Sequence, residues 1–138
     1  MVENINNYLV VDVSVVLAVL LPDERILEKS RKHMDILLDR DRRIYVPVLL
    51  DFELGNGLRS AVLRKRISID ESLDLWKSYK EFSFVLLRVN WLNVLRLAIE
   101  NKLSFYDASY LYLALEKKAK FLTLDKRLEG IWRRLRKI

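Results

Sequence analysis

The stretch from Leu103 to Asp125, LSFYDASYLYLALEKKAKFLTLD, constrains the fold more than any other part of the chain. Ala108, Leu111, Tyr112, Leu115 and Ala119 recur at helical spacing and predict one apolar stripe laid against a sheet. Ser104 and Asp107 match the S-x-x-D capping signature, which sets Asp107 among the free N–H groups of a first turn. Phe121 to Thr123 is a short β-prone run, and Asp125 follows where the chain must turn. Helix, strand and two acids in this order predict carboxylates at the rim of an open α/β sheet, where such folds hold their ligands. Taken singly, Asp107 reads as a helix cap and Asp125 as a turn residue or a cap for the last helix. A functional reading therefore needs further acids that reach the same rim.

The rest of the chain supplies the sheet. Tyr8 to Val11 reads as a buried strand ending in Asp12, and Ser14 begins a short apolar helix that Pro22 stops. Asp23 caps a second helix with apolar positions Ile26, Leu27, Met34, Leu37 and Leu38, and residues 39–43 form a solvated turn. Ile44 to Val46 is the second strand. Pro47 opens a longer helix, from about Leu49 to Lys65, with a stripe of Leu50, Leu54, Leu58, Ala61 and Val62 and with Glu53 and Asn56 beside it. Gly55 and Gly57 inside this helix cost about 1 kcal/mol each against alanine, so close packing or a ligand must favour them. Ser68 and Glu71 form a capping box for a helix that runs through Trp76 to about Phe82. Phe84 to Leu87 is the third strand; Asn90 opens a helix with Val94, Leu95, Ala98 and Ile99 that ends near Asn101, and a basic helix spans Lys126 to Lys137. Short strands alternating with helices predict one domain over residues 1–138, a three-layer α/β/α arrangement with a short, mainly parallel central sheet. Right-handed crossovers then gather the carboxyl ends of the strands on one rim.

Composition narrows the chemistry. The chain has no cysteine and one histidine, His33, which reads as a solvated or half-buried structural residue. Disulfides, Cys/His zinc sites, thiol nucleophiles and a Ser-His-Asp triad drop out, leaving carboxylates, hydroxyls, Lys and Arg, with a metal to make them effective. The net charge of +6 lies entirely in residues 116–138, where nine basic side chains face three acidic ones, while sixteen of each cancel before them. Such a patch attracts polyanions. The apolar run Val13 to Leu21 is far short of the roughly 20 residues that a membrane span needs. Glu3 and the lack of Lys or Arg ahead of that run do not suit a signal peptide, so a cytoplasmic protein with no membrane partner is predicted.

Four acids now compare. Asp12 ends the first strand, Asp107 begins the central helix and Asp125 follows the last strand, so all three should meet at the carboxyl-end rim. Glu53 reaches it if its helix leans across. Packed acids repel and raise one another's pKa, which a divalent cation relieves. Oxygen ligands without His or Cys favour Mg²⁺ or Mn²⁺ over zinc, and the Ser14 hydroxyl is placed to support a ligand or its water. A haloacid-dehalogenase-type phosphatase would need an aspartate where Ser14 stands. A response-regulator receiver would need acids at Val10 and Val11 and a strand-end lysine that Thr123-Leu124-Asp125 lacks.

The segments VVDVS, PVLLDFELGNGL, LSFYDASYLYLAL and FLTLDKRL together resemble the PIN-domain ribonucleases, and most of all the VapC-type toxins of type II toxin–antitoxin pairs. The resemblance runs from Val10 to Leu128 in the family's order. It implies acidic metal ligands at Asp12, Glu53, Asp107 and Asp125, and supporting polar positions at Ser14, Asn56 and Thr123. Ala119-Lys120 departs from the pattern, since many relatives place glycine before the last strand. The implied activity is Mg²⁺- or Mn²⁺-dependent endonucleolytic cleavage of RNA, with Arg59, Arg64, Lys65, Arg133 and Arg134 holding phosphates. The implied partners are RNA and a cognate antitoxin. Val19, Leu20, Leu21 and the Trp76–Tyr79 helix, read as exposed apolar surface, predict a homodimer and a groove for an antitoxin helix. The alternative is a nucleic-acid-binding or interaction module of the same fold whose acids are caps and surface charges.

Overall fold

In the computed structural model, which describes residues 7–22 and 27–137, the sheet has four parallel strands. They are β1 (Tyr8–Val11), β2 (Arg43–Pro47), β3 (Phe84–Leu87) and β4 (Lys120–Leu122), side by side in the order β3-β2-β1-β4. β1 is paired on both edges: Leu9 lies opposite Ile44 on one side and Lys120 on the other. A strand in this position has water on neither face, and Leu9, Val10 and Val11 are all buried. The helices among the described residues are α1 (Val13–Leu20), α2 (Leu27–Leu38), α3 (Leu50–Leu63), α4 (Ile69–Lys80), α5 (Trp91–Asn101), α6 (Phe105–Glu116) and α7 (Lys126–Leu135).

From β1 the chain steps outward to β2 and β3 through α1–α4, then returns across the sheet through α5 and α6 to β4. With right-handed crossovers the outward steps cover one face and the return covers the other, giving three layers. Contacts follow this division: α1 packs on α2, α3 and α4, α5 packs on α6, and α6 lies over β1, β2 and β4. Strand order reverses beside β1, with β2 on one side and the last strand on the other. That is where a crevice opens outside the carboxyl ends of parallel strands.

α6 is buried more widely than a single stripe. Ala108, Ser109, Tyr110, Leu111, Leu113 and Ala114 are all inaccessible, because the helix is covered by the sheet, α5 and α7. The same cause corrects the expected exposed patch on α1. Leu20 and Leu21 are only 7% exposed, Val19 packs against the core, and on α4 Tyr79 is buried and Trp76 half-buried. His33 is buried as well. Large apolar residues are exposed at Ile69 and Leu73 of α4, ahead of Trp76, and as a continuous face on α5, where Leu92, Leu95 and Ile99 face outward and only Val94 and Ala98 are buried. Leu38, read as a core position, is exposed at the end of α2.

Boundaries differ in small ways. Pro47 closes β2 instead of opening α3; its missing N–H is tolerated at a strand end, and the Val48 N–H resumes pairing by donating to the Leu87 carbonyl at 3.2 Å. Arg43 belongs to β2, and β4 starts and ends one residue earlier than Phe121–Thr123. The expected cap Asp23 and core position Ile26 lie outside the described residues. The Ser68–Glu71 capping box is present in both directions, at 3.0 and 2.8 Å. α3, α5 and α6 end in left-handed lysines, Lys65, Lys102 and Lys118, each followed by an N–H that reaches five residues back. This is the Schellman arrangement that glycine usually serves. The left-handed turn before β4 thus falls on Lys118, not on Ala119 or Lys120. No helix among the described residues is long and apolar enough to cross a membrane.

Candidate active site

Asp12 leaves β1 at the carboxyl-end rim and caps α1. The register Val11↔Leu122 continues by one bond, from the Asp12 N–H to the Leu122 carbonyl at 3.3 Å, and so brings Asp12 level with Thr123. Its Oδ1 accepts from the Ser14 N–H at 3.1 Å, the Ser14 hydroxyl at 2.5 Å and the Val15 N–H at 3.4 Å, and its Oδ2 accepts from the Thr123 hydroxyl at 2.5 Å. The network closes through β4. Ser14 Oγ accepts from the Leu124 N–H and Thr123 Oγ1 from the Asp125 N–H, both at 3.1 Å. Ser14 and Thr123 therefore lock the β1–α1 connection to the β4–α7 connection. Burial, at 4% exposure, pushes the Asp12 carboxyl up from its ordinary pKa; the hydroxyls of Ser14 and Thr123 and the two N–H groups pull it back part of the way.

Asp107 stands in the first turn of α6, its N–H donating to Ser104 Oγ at 3.0 Å. Burial raises its pKa first, then the charges of Asp125 and Asp12; the Ser104 hydroxyl and Arg127 oppose this. Asp125 caps α7, with Oδ1 accepting from the N–H groups of Arg127 and Leu128 at 3.0 and 3.1 Å. Glu53 lies in the first turn of α3, half-buried, and its Oε1 accepts from the hydroxyl of Tyr110 at 2.7 Å. Burial raises the Glu53 pKa, the Tyr110 bond lowers it, and Asp107 and Asp12 raise it further. The structure thus brings all four acids to one rim, each within the field of at least one other. Asn56 lies three residues beyond Glu53 on α3, exposed.

This donor set suits a hard cation. All its atoms are carboxylate or hydroxyl oxygens, and the raised pKa values of three of the acids mark negative charge that solvent does not fully relieve. Among the described residues no three acidic or histidine side chains close into a ready-made ligand cluster. Mg²⁺ does not require one, since it keeps several waters and takes one or two carboxylates directly.

The basic residues are more dispersed. Arg59, Arg64 and Lys65 follow Glu53 along α3 by about 9, 16 and 18 Å of helix axis, which sets the last two at the far end. Arg133 and Arg134 lie about 12 Å or more along α7 from Asp125. They follow Trp132, whose ring meets Phe121 of β4 edge-on at 6.4 Å. Arg133 pairs with Glu129 at 2.9 Å, and Arg134 donates to the Asn101 side chain at 3.1 Å. Two site residues escape a reading of the sequence. Arg127, in the first turn of α7 and held by the carbonyls of Asn101 and Lys102, brings a positive charge to Asp107. Tyr110, 1% exposed, reaches Glu53 from another layer. Its only sequence signal is that a buried tyrosine hydroxyl must find a partner.

Comparison with known proteins identifies the family of this fold. The PIN domain family profile matches residues 9–133. Ribonuclease VapC3 of Pyrobaculum aerophilum is 29% identical over 124 residues, spanning 87% of this chain and 91% of that protein. VapC ribonuclease Mb0985 of Mycobacterium bovis and ribonuclease VapC9 of Mycobacterium tuberculosis are each 31% identical over 120 residues, 87% of both partners. The crystal structure of PAE2754 from Pyrobaculum aerophilum matches the fold with a TM-score of 0.70 at 26% identity, covering 97% of this chain and 92% of that one. With the profile running from the first strand into the last helix, and an acid at the carboxyl end of the strands that flank the crevice, this chain belongs to the PIN-domain family.

Proposed function

We propose that the chain is an endoribonuclease of the VapC toxin type, which hydrolyses RNA phosphodiester bonds with Mg²⁺ or Mn²⁺ held by Asp12, Glu53, Asp107 and Asp125. The observation that carries this reading is the convergence of four acids from four separate elements on one rim, with three of them raised in pKa. A bound divalent cation supplies charge neutralisation at the phosphate and a water acidic enough to attack it. The chain's own residues do the rest. Ser14 and Thr123 fix both oxygens of Asp12, the α6 N-terminus holds Asp107 among N–H dipoles, and Arg127 supplies positive charge beside them. Arg59 is the nearest of the proposed RNA contacts on α3; Arg64, Lys65, Arg133 and Arg134 suit phosphates farther along a strand. A cognate antitoxin is the protein partner of this reading, and the cytoplasm its compartment.

The purified protein should cleave single-stranded or looped RNA only with Mg²⁺ or Mn²⁺ present, leaving 5′-phosphate and 3′-hydroxyl ends because water and not the ribose 2′-OH attacks. EDTA should abolish cleavage, and Asp107→Asn should lower it by at least about 100-fold without unfolding the protein. RNA binding with no cation-dependent cleavage would replace this reading by that of a binding module.

A further inference from the structure

α3 begins without a side-chain cap; the residue at its N-cap position is Leu49. Its first turn is anchored through two acids instead, each gripped by the hydroxyl of a buried tyrosine from another element. Tyr79 of α4 donates to Asp51 Oδ1 and Tyr110 of α6 donates to Glu53 Oε1, both at 2.7 Å. The two bonds look alike but differ in charge. Asp51 is neutralised by Lys80, whose Nζ lies 3.0 and 3.1 Å from its two oxygens. Among the described residues no Lys or Arg pairs with Glu53.

We propose that Tyr110 is a positioning residue for the cation site: its buried hydroxyl holds Glu53 by Oε1 and leaves Oε2 as the oxygen available to a cation or to the cation's water. The inference rests on the ribonuclease reading above and deepens it. A free glutamate gives up rotamer freedom when it is fixed, and one repelled by Asp12 and Asp107 would turn toward solvent. The phenol–carboxylate bond fixes the rotamer and offsets part of the repulsion before the cation arrives. Tyr110 itself cannot drift, since its ring is enclosed in the core and its hydroxyl has no water to turn to.

The test is calorimetric titration of Mn²⁺, and separately Mg²⁺, into the intact protein. Wild type should bind; if it does not, the metal-dependent reading falls and this inference with it. Given binding, Tyr110→Phe should weaken affinity about 10-fold, the lower end of what loss of a partner behind a metal ligand costs. Tyr79→Phe makes the same chemical change at the acid already neutralised, and should leave affinity within about twofold. In a Glu53→Gln background the Tyr110→Phe effect should disappear, because the bond acts only through that carboxylate. A merely structural tyrosine would give the opposite pattern: equal losses from both tyrosines, or a Tyr110 effect that persists beside Glu53→Gln. Either result, or unchanged affinity in Tyr110→Phe, overturns the inference while leaving the ribonuclease reading intact. Should Tyr110→Phe fail to fold, Mg²⁺ titration of ¹³C-tyrosine-labelled wild type decides the point. The Tyr110 ring signals should move and those of Tyr79 stay, and immobile Tyr110 signals would refute the role.

Discussion

Asp12, Glu53 and Asp107 each hold a proton more tightly in the fold than in the open chain, chiefly because the fold takes them out of water. An acid with a raised folded pKa contributes stability that is full below its unfolded value and is lost as pH rises through the folded one. The metal-free protein should therefore melt higher as pH is lowered from neutrality toward the carboxylate range. Asp107→Asn should flatten that trend, and in EDTA at pH 7 it should raise the melting temperature by a few degrees. The asparagine keeps the side-chain shape and the backbone bond to Ser104 but removes the charge that Asp12 and Asp125 repel. Scanning calorimetry on the two proteins decides this, and a lower melting temperature for the variant would show that the acid is stabilised where it stands. A gain in stability alongside lost cleavage is the usual mark of a functional charge. Asp12, Asp107 and Asp125 were legible in the sequence because each sits at a strand end or helix start that local patterns mark; Glu53, in the first turn of an uncapped helix, was tied to the rim by a leaning helix and by the family resemblance, not by a local pattern. Tyr110 was not, since nothing local announces a bond that spans fifty-seven positions.

At the scale of elements, hydrophobic periodicity placed each strand and helix among the described residues but not every boundary or buried face. Periodicity reports which residues avoid water on average, whereas α6 is covered from several sides and α5 on one narrow side. The two glycines of α3 separate what the pattern could and could not say. A Cβ on Gly57 would sit 2.8 Å from Leu17 Cδ1, inside contact distance, so α1 and α3 approach through that position. Gly55 has only Trp76 at 3.9 Å, an ordinary contact, and needs no glycine on this ground. Gly57→Val should accordingly destabilise the protein by about 1–3 kcal/mol through overpacking. Gly130, in α7, has nothing within 4 Å of a built Cβ, and Gly130→Ala should stabilise by up to about 1 kcal/mol from helix propensity alone. Urea unfolding with unchanged m-values measures both; matching shifts of the same sign would remove the packing argument.

For the whole molecule, the question is what covers the apolar surface the fold leaves outside. On α1 the expected surface is absent, because burial of a side chain depends on which layers close over it and α1 packs against three other helices, whereas α4 leaves Ile69 and Leu73 outside. The most continuous exposed apolar face is on α5, where Leu92 is 80% and Ile99 69% exposed, with Leu95 between them. At its start Trp91 stacks on Phe105 at 5.4 Å. Arg96 and Glu100 line the same shallow recess of about 310 Å³. A basic and an acidic residue one helical turn apart on an apolar face suit a twofold axis, across which Arg96 of one copy meets Glu100 of the other. We propose a homodimer through this face. Light scattering should report twice the chain mass at micromolar concentration, and Leu92→Glu with Ile99→Glu should return it to the monomer, because each places a charge against apolar surface in the closed interface. The monomeric variant should keep its melting temperature within a few degrees, as neither side chain belongs to the core. The same double change on Ile69 and Leu73 of α4, also exposed, should leave the mass unchanged. A monomer in the wild-type protein, or a dimer that survives the α5 changes and yields to those on α4, would move the interface elsewhere.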